Sequence, residues 1–283
     1  MANMITRVNP WVSLCVMRVQ DGAAADGSRT IFADSAASAI RGAIGRKVNI
    51  ISMSWTIQAK IKSELARDSD LRPKKDADIN TERAIGSLEK AVKAAADAKI
   101  LMFCSASDDI QSDAMSSLPY KAAPVSIFRI GAADRNGQRD PTSEDTQRID
   151  WFMPGNQVAE AANPKSHSQI RWHTGSSVST ALAAGLASLI IYCTHLLRAH
   201  YEHTGQTTQA TEAARMAEAL QIPTGLRRAF DSIDSSTWPD KKFLPVWETF
   251  RHATADLNRQ TTDHSRIEVL KRLVTQLCAK IGY

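Results

Sequence analysis

Residues 174–185 read TGSSVSTALAAG. Gly175 can take a tight turn that side chains disfavour, and the Ala- and Leu-rich run behind Ser177 is a strong helix former. The stretch predicts a turn and then a helix, with Ser177 in the helix's first turn. Its backbone N–H would point along the positive end of the helix dipole, toward whatever its hydroxyl attacks. An ordinary N-cap serine looks the same, so the surrounding sequence has to decide between the two.

Upstream of this segment the chain alternates. Trp11–Val19 reads as a strand, Ile31–Ile44 as a helix of small apolar residues, and Val48–Ser54 (VNIISMS) as a buried strand. The charged stretch Lys60–Arg83 reads as an exposed loop, after which Asn80 caps a helix from Thr81 to about Ala98. Ile100–Ser105 and Val125–Gly131 are two more short apolar runs. Continuous apolar strands alternating with helices predict a parallel sheet covered on both faces. Ligands bind such sheets at the carboxyl ends of the strands, which directs attention to Ser54, Ser105 and the turn before Ser177. Beyond Tyr201 the chain reads as all-helical, with Trp238, Phe243, Trp247 and Phe250 as aromatic anchors.

Composition narrows the classes. The 283 residues are 43% hydrophobic with 13 Gly and 10 Pro, a core-forming balance that excludes collagen-like and low-complexity chains. Cys15, Cys104, Cys193 and Cys278 form no CxxC pair, which argues against a disulfide scaffold or a zinc site. Three of them lie in apolar runs and read as small buried hydrophobes. The net charge of +5 lies in residues 1–62, with 8 basic and 3 acidic side chains, leaving 27 against 27 in the remainder. Those basic residues are scattered singly, so no nucleic-acid partner is expected. Met1–Pro10 lacks an apolar signal core, and Ala181–Cys193 is too short to span a bilayer. No membrane partner and a cytoplasmic location are therefore expected. No spacing gives GxGxxG or GxxxxGK, so no nucleotide cofactor is expected.

TGSSVSTALAAG resembles the GTSMAxPxVAG nucleophile motif of the subtilisin-like serine peptidases, the subtilases, with Gly175, Ser177, Ala184 and Gly185 matching. Further resemblances follow the family's order. VNIISMSW resembles the strand leading to the substrate-binding segment, and FCSASDD the strand carrying the oxyanion residue. IGAADRNGQR is similar to VGAVDxxxxR, and Met153–Gly155 (MPG) to the APG before the nucleophile. The resemblance covers Trp11 to Cys193 and implies a three-layer α/β/α subtilisin-like fold with a mainly parallel sheet, missing its first strands. Residues 1–200 would be the truncated peptidase domain, and 201–283 a helical C-terminal extension packed on it.

The function so implied is a serine endopeptidase acting on a peptide or protein substrate, without cofactor or metal. Ser177 would be the nucleophile. Asp108 stands where the family usually has the Asn that helps hold the oxyanion; a surface Asp in a turn with Asp109 is the rival reading. Ser54, Trp55 and Thr56 resemble the segment that pairs with substrate backbone, and Ser105, Ala106 and Ser107 the opposite wall of the first specificity pocket. Gly175 adjoins them. Trp55 reads equally well as core packing.

The departures matter as much. No DxG strand and no HGTH helix, the family's sources of the triad Asp and His, occurs in these 283 residues. MANMI resembles the residues just after HGTHxA, so the sequence is expected to start inside the domain. The chain alone is then expected to be inactive, with the missing N-terminal segment of its parent chain as a partner. A non-catalytic peptide-binding or regulatory module is the alternative. His173 lies four residues before Ser177, but nothing nearby is placed in sequence to orient its ring, and it reads as cleft-lining. His195, His200 and His203 read as an exposed helix face. The family's Asp-bearing strand lies between the strands matching Trp11–Val19 and Val48–Ser54, which are expected to stay apart, each with a bare edge.

Overall fold

The computed structural model of the chain describes residues 1–23, 29–58, 76–106, 117–140, 148–160, 170–233 and 235–282. At its centre is a four-stranded parallel sheet of β3 (Ile50–Met53), β5 (Leu101–Ser105), β7 (Ile127–Ala133) and β8 (Trp151–Pro154), in the order β3–β5–β7–β8. Each pairing is in parallel register, with Ile50 opposite Leu101, Met102 opposite Ile127 and Ile130 opposite Trp151. The first three are the continuous apolar runs of the sequence, β8 is not among them, and every residue of β5 and β7 is buried. Two-sided burial is what a parallel sheet between helix layers demands.

Alternation along β5 shows the two layers. Leu101 and Phe103 face one core; Met102 and Cys104 face the other. The second core is closed by α2 (Ala33–Gly45) and α3 (Asp76–Asp97), through Ala36, Ala37, Ile40, Leu88 and Val92. The first is closed by the long helix α4 (Ser176–His203). Hydropathy alone would let α4 cross a membrane, but its apolar length is absorbed by burial against the sheet and later helices. Short antiparallel pairs flank the sheet: β1 (Asp21–Ala23) with β2 (Arg29–Ile31), β4 (Ile57–Gln58) with β6 (Ser117–Leu118), and β9 (Val158–Ala159) with β10 (Trp172–His173).

After α4 come α5 (Thr207–Leu220), α6 (Pro223–Phe230), α7 (Val246–Arg259) and α8 (Asp263–Cys278). They extend the first core: Phe230 packs edge-on against Trp151 at 5.2 Å, and Phe103 stacks on Phe128 at 4.7 Å. Such pairs contribute about 0.5–1.5 kcal/mol each beyond their buried area. Arg227 of α6 reaches the sheet, donating to Asp150 Oδ1 at 2.5 Å and to the Ile127 carbonyl at 2.8 Å. Its guanidinium lies 4.7 Å over the Phe128 ring. Trp238, Phe243 and Trp247 pack together, and the Leu244 N–H donates to the Phe152 carbonyl.

Three sequence expectations change. Trp11–Val19 forms no strand: among the described residues it enters no ladder, and Trp11 instead stacks on Tyr192 of α4. Extended apolar sequence makes a strand only where a neighbouring edge accepts its hydrogen bonds. Asn80 is not a cap, since α3 already begins at Asp76, and residues 76–83 of the expected loop are helical; 59–75 lie outside the described residues. Ile31 ends β2, and the helix starts at Ala33.

Candidate functional site

Gly175 precedes α4 with φ of +131°, a backbone conformation open to glycine and strained for other residues, and its N–H donates to the Gly155 carbonyl at 2.7 Å. The turn drops the chain onto the carboxyl end of the sheet. There the hydroxyls of the first turn of α4 reach three strand ends. Ser176 Oγ donates to the Ala106 carbonyl beyond β5 at 2.7 Å. Ser179 Oγ lies 3.0 Å from the Met153 carbonyl and 3.1 Å from that of Pro154 in β8. Ser177 Oγ donates to the Ser54 carbonyl beyond β3 at 3.3 Å, and Ser54 Oγ returns a bond to the Ser177 carbonyl at 3.3 Å. Gly155 allows the close approach: a Cβ there would stand 2.2 Å from Ser179 Oγ and 2.6 Å from Ala132 Cβ.

Ser177 is therefore the second residue of α4, half-buried, and bonded to the segment after β3. N–H groups of a helix's first turn lack intrahelical acceptors and carry partial positive charge. A developing oxyanion beside Ser177 would meet that field. Ser54, Trp55 and Thr56 are half-buried beside it, with Trp55 packed against the core of α2 and α3. Ser105 and Ala106 are buried at the end of β5, where the Ala106 N–H donates to the Ile130 carbonyl at 2.8 Å. The structure thus brings Ser54, Ser105, Ala106, Gly175 and Ser177 to one end of the sheet. Ser107 and Asp108 lie outside the described residues.

His173 ends β10, and its Nε2 lies 3.1 Å from Glu160 Oε2. This corrects the expectation that nothing orients its ring. Asn3 Nδ2 donates to the other Glu160 oxygen at 2.6 Å, and Arg7 donates to the Ala159 carbonyl, so α1 (Ala2–Val8) grips the β9–β10 hairpin. The His173 hydrogen bond, then the Asn3 one, holds the Glu160 carboxyl below its ordinary range. Among the described residues, Ser177 Oγ bonds to the Ser54 carbonyl and to no imidazole. His195 and His203 are exposed on α4, and His200 lies edge-on to Tyr201. No group of three potential metal ligands occurs among the described residues. Ser176, Ser179, Asn3 and Glu160 escaped the sequence reading because their partners lie on distant strands or helices. Only the glycine of MPG hinted at the tight junction.

The profile of the subtilase family matches residues 2–216. Among solved structures, a lanthipeptide protease superposes with a TM-score of 0.51 at 16% identity, covering 76% of this chain and 64% of its own. The chain thus spans under two thirds of that protein's length. The prenylagaramide maturation protease PagA gives a TM-score of 0.48 at 16% identity, covering 91% of this chain and 72% of its own. A cold-adapted subtilisin-like serine proteinase gives 0.47 at 17%, covering 78% and 63%. At 16% identity the likeness to the lanthipeptide protease is one of fold. No curated protein matches the chain.

Proposed function

The chain belongs to the subtilase family, and from that premise we propose that it is a serine endopeptidase domain whose nucleophile is Ser177. The observation that carries the reading is the placement of Ser177 at the second position of α4, after the positive-φ Gly175 and against the segment that follows β3. In the proposed reaction Ser177 Oγ attacks a peptide carbonyl carbon and its proton passes to a base. The carbonyl oxygen gathers negative charge near the start of α4, with Asp108 proposed as the oxyanion residue. The amine then leaves with a proton, and water hydrolyses the acyl-serine. Ser54, Trp55 and Thr56 would hold the substrate backbone by edge pairing, opposite Ser105, Ala106 and Ser107. Gly175 would complete the floor.

The step that needs a base finds no imidazole on Ser177 Oγ among the described residues. A carbonyl oxygen such as that of Ser54 cannot take the hydroxyl proton, and general-base help is worth about 10²–10⁴ in rate. The chain alone is proposed to be inactive, and a segment of its parent chain bearing the Asp and His is the proposed source of the base. The Ser177–Ser54 hydrogen bonds also favour a second reading, a peptide-binding module that does not cleave.

A fluorophosphonate probe with added imidazole tests the proposal. Labelling at Ser177, mapped by mass spectrometry, should be no faster than at surface serines without imidazole, and should rise with imidazole in the native chain but not in Ser177→Ala. Fast labelling without imidazole would refute the inactivity. Imidazole-independent background at every concentration would refute Ser177 as nucleophile.

A further inference from the structure

The C-terminal extension does more than cover the first core. Residues 242–244 add one rung to the outer edge of the sheet, parallel to β8: the Phe152 N–H donates to the Lys242 carbonyl at 2.9 Å, and the Leu244 N–H donates to the Phe152 carbonyl at 3.0 Å. Successive side chains of such a rung point to opposite faces. Leu244 joins the first core, behind α4, while Phe243 enters a separate buried cluster with Phe152, Ile149, Ala133 and Ala106. Gly131 leaves room for the cluster, since a Cβ there would stand 2.6 Å from the Phe152 ring.

Ala106 is the member of that cluster that belongs to the candidate site. Its N–H donates to the Ile130 carbonyl at 2.8 Å and its carbonyl accepts Ser176 Oγ at 2.7 Å, so it ties β7 to the first turn of α4, one residue from Ser177. Phe243 is held from the other side. The rings of Trp238 and Trp247 lie 4.9 Å and 5.8 Å from its own. Gly137, at φ of +73°, brings the turn after β7 so close that a Cβ there would stand 2.9 Å from Phe243 and 2.6 Å from Trp238. Lys242 Nζ donates to the Ile149 carbonyl at 2.7 Å, which fixes the rung along β8. A ring so confined cannot shift without the cluster following, because close-packed interiors transmit strain.

We infer that Phe243 is a positioning residue for the candidate site: through this cluster it sets where Ala106 stands, and with it the proposed wall of the first specificity pocket and the Ser176 anchor beside Ser177. A residue of the C-terminal extension thereby shapes a pocket built on the sheet. Its effect on chemistry rests on the proposed role of Ser177; its hold on Ala106 does not. Removing part of the ring leaves a void into which the surroundings relax only partially. Ala106 then loses its fixed place, and the wall no longer stands in register with Ser177.

The test compares Phe243→Leu with Phe230→Leu in the full chain. Both rings are 0% exposed, but Phe230 packs in the first core and outside the cluster of Ala106, so it reports the plain cost of a lost core ring. Exchange of the Ala106 amide, followed by NMR at the same interval below each protein's thermal midpoint, should speed up about tenfold or more in Phe243→Leu and hardly at all in Phe230→Leu. Imidazole-dependent labelling of Ser177 should fall about tenfold or more in Phe243→Leu, as misplacement around a reacting group causes. The fall should be larger for a fluorophosphonate bearing a bulky side group than for one bearing a methyl, and Phe243→Met, close in volume, should restore both readouts. Equal Ala106 exchange in Phe243→Leu and Phe230→Leu would make Phe243 a plain core residue and overturn its positioning role. Equal loss with the two probes would overturn the link to the pocket wall. If Phe243→Leu does not fold, Trp247→Ala decides: Trp247 is 42% exposed at the rim of the cluster, its loss should speed Ala106 exchange with little change in midpoint, and unchanged exchange would overturn the coupling. A native chain without imidazole-dependent labelling would refute the role of Ser177, and Ala106 exchange would still decide whether Phe243 holds the wall.

Discussion

Replacing Arg227 with Ala should loosen the C-terminal helices from the sheet, at a cost the structure allows to be worked out. The side chain donates to Asp150 Oδ1 and to the Ile127 carbonyl, and its guanidinium covers the Phe128 ring. Hydrogen bonds to charged groups contribute about 1.5–3 kcal/mol, and a partly desolvated cation over an aromatic ring about 0.5–2 kcal/mol. The Arg227 and Asp150 side chains are 24% and 22% exposed, so solvent screens the pair only in part. A total near 3 kcal/mol follows, a large share of the ~5–15 kcal/mol typical of a domain. Asp150 Oδ2 also accepts the Arg129 N–H at 2.7 Å, so Asp150→Ala should cost a similar amount, and the double mutant less than the sum. Urea denaturation of the four proteins gives the coupling directly. Arg227→Lys should recover less than half, because an ammonium cannot make both bonds and cover the ring. A loss below about 0.5 kcal/mol for Arg227→Ala, the range of ordinary surface changes, would refute the reasoning. So would strict additivity with Asp150→Ala.

Gly155→Ala should lower the melting temperature and broaden the transition, since its methyl would meet Ser179 Oγ, Ala132 Cβ and the Gly175 carbonyl, the last at 3.0 Å; overpacking of this kind costs about 1–3 kcal/mol, and an unchanged melting curve would count against the junction. Iodoacetamide at pH 8 should modify Cys15 alone in the native chain, because Cys104, Cys193 and Cys278 are buried and burial pushes the Cys193 and Cys278 thiols up to about 11; a second rapid adduct by mass spectrometry would contradict it. The Glu160 carboxyl is held below its ordinary value of 4.5 by His173 and Asn3, so its contribution is present above that value and is lost as pH falls through the lowered one. Protection of the Glu160 amide, which bonds the Arg171 carbonyl at 2.7 Å, should therefore hold from neutral to mildly acidic pH and then fall, and Glu160→Gln should abolish the fall.

How much of this could be read beforehand depends on where each residue's partner lies. VNIISMS and the runs that became β5 and β7 were legible because a strand buried on both faces leaves a continuous apolar signature. The position of Ser177 in the first turn of α4 was legible because glycine and the Ala run act within a few residues of it. Trp11–Val19 carries a similar signature, but pairing depends on a neighbouring edge that the segment does not reach. Asn80 shows the limit of capping signals, which are local while α3 extends past them to Asp76. Glu160 and His173 are 13 residues apart and meet only through the β9–β10 register, with Asn3 reaching them from the other end of the chain.

The same distinction separates the hydroxyls at the start of α4. Ser176 and Ser179 are buried, at 1% and 0% exposure, and hold strand-end carbonyls at 2.7 and 3.0 Å. Losing either bond would strand a buried carbonyl, which makes both hydroxyls fasteners. Ser177, between them in sequence, points to a half-buried flank, and its bond of 3.3 Å is the longest of the three. A hydroxyl held that weakly can leave its carbonyl for an incoming peptide at small cost, while its neighbours keep the helix start in place. The first turn of α4 is thus a rigid mount around one releasable oxygen. The expected consequence is that Ser176→Ala and Ser179→Ala lower stability, whereas Ser177→Ala leaves the melting temperature within a degree or two and removes only imidazole-dependent labelling. A large stability loss from Ser177→Ala would make Ser177 a third fastener and remove the structural argument for its chemistry.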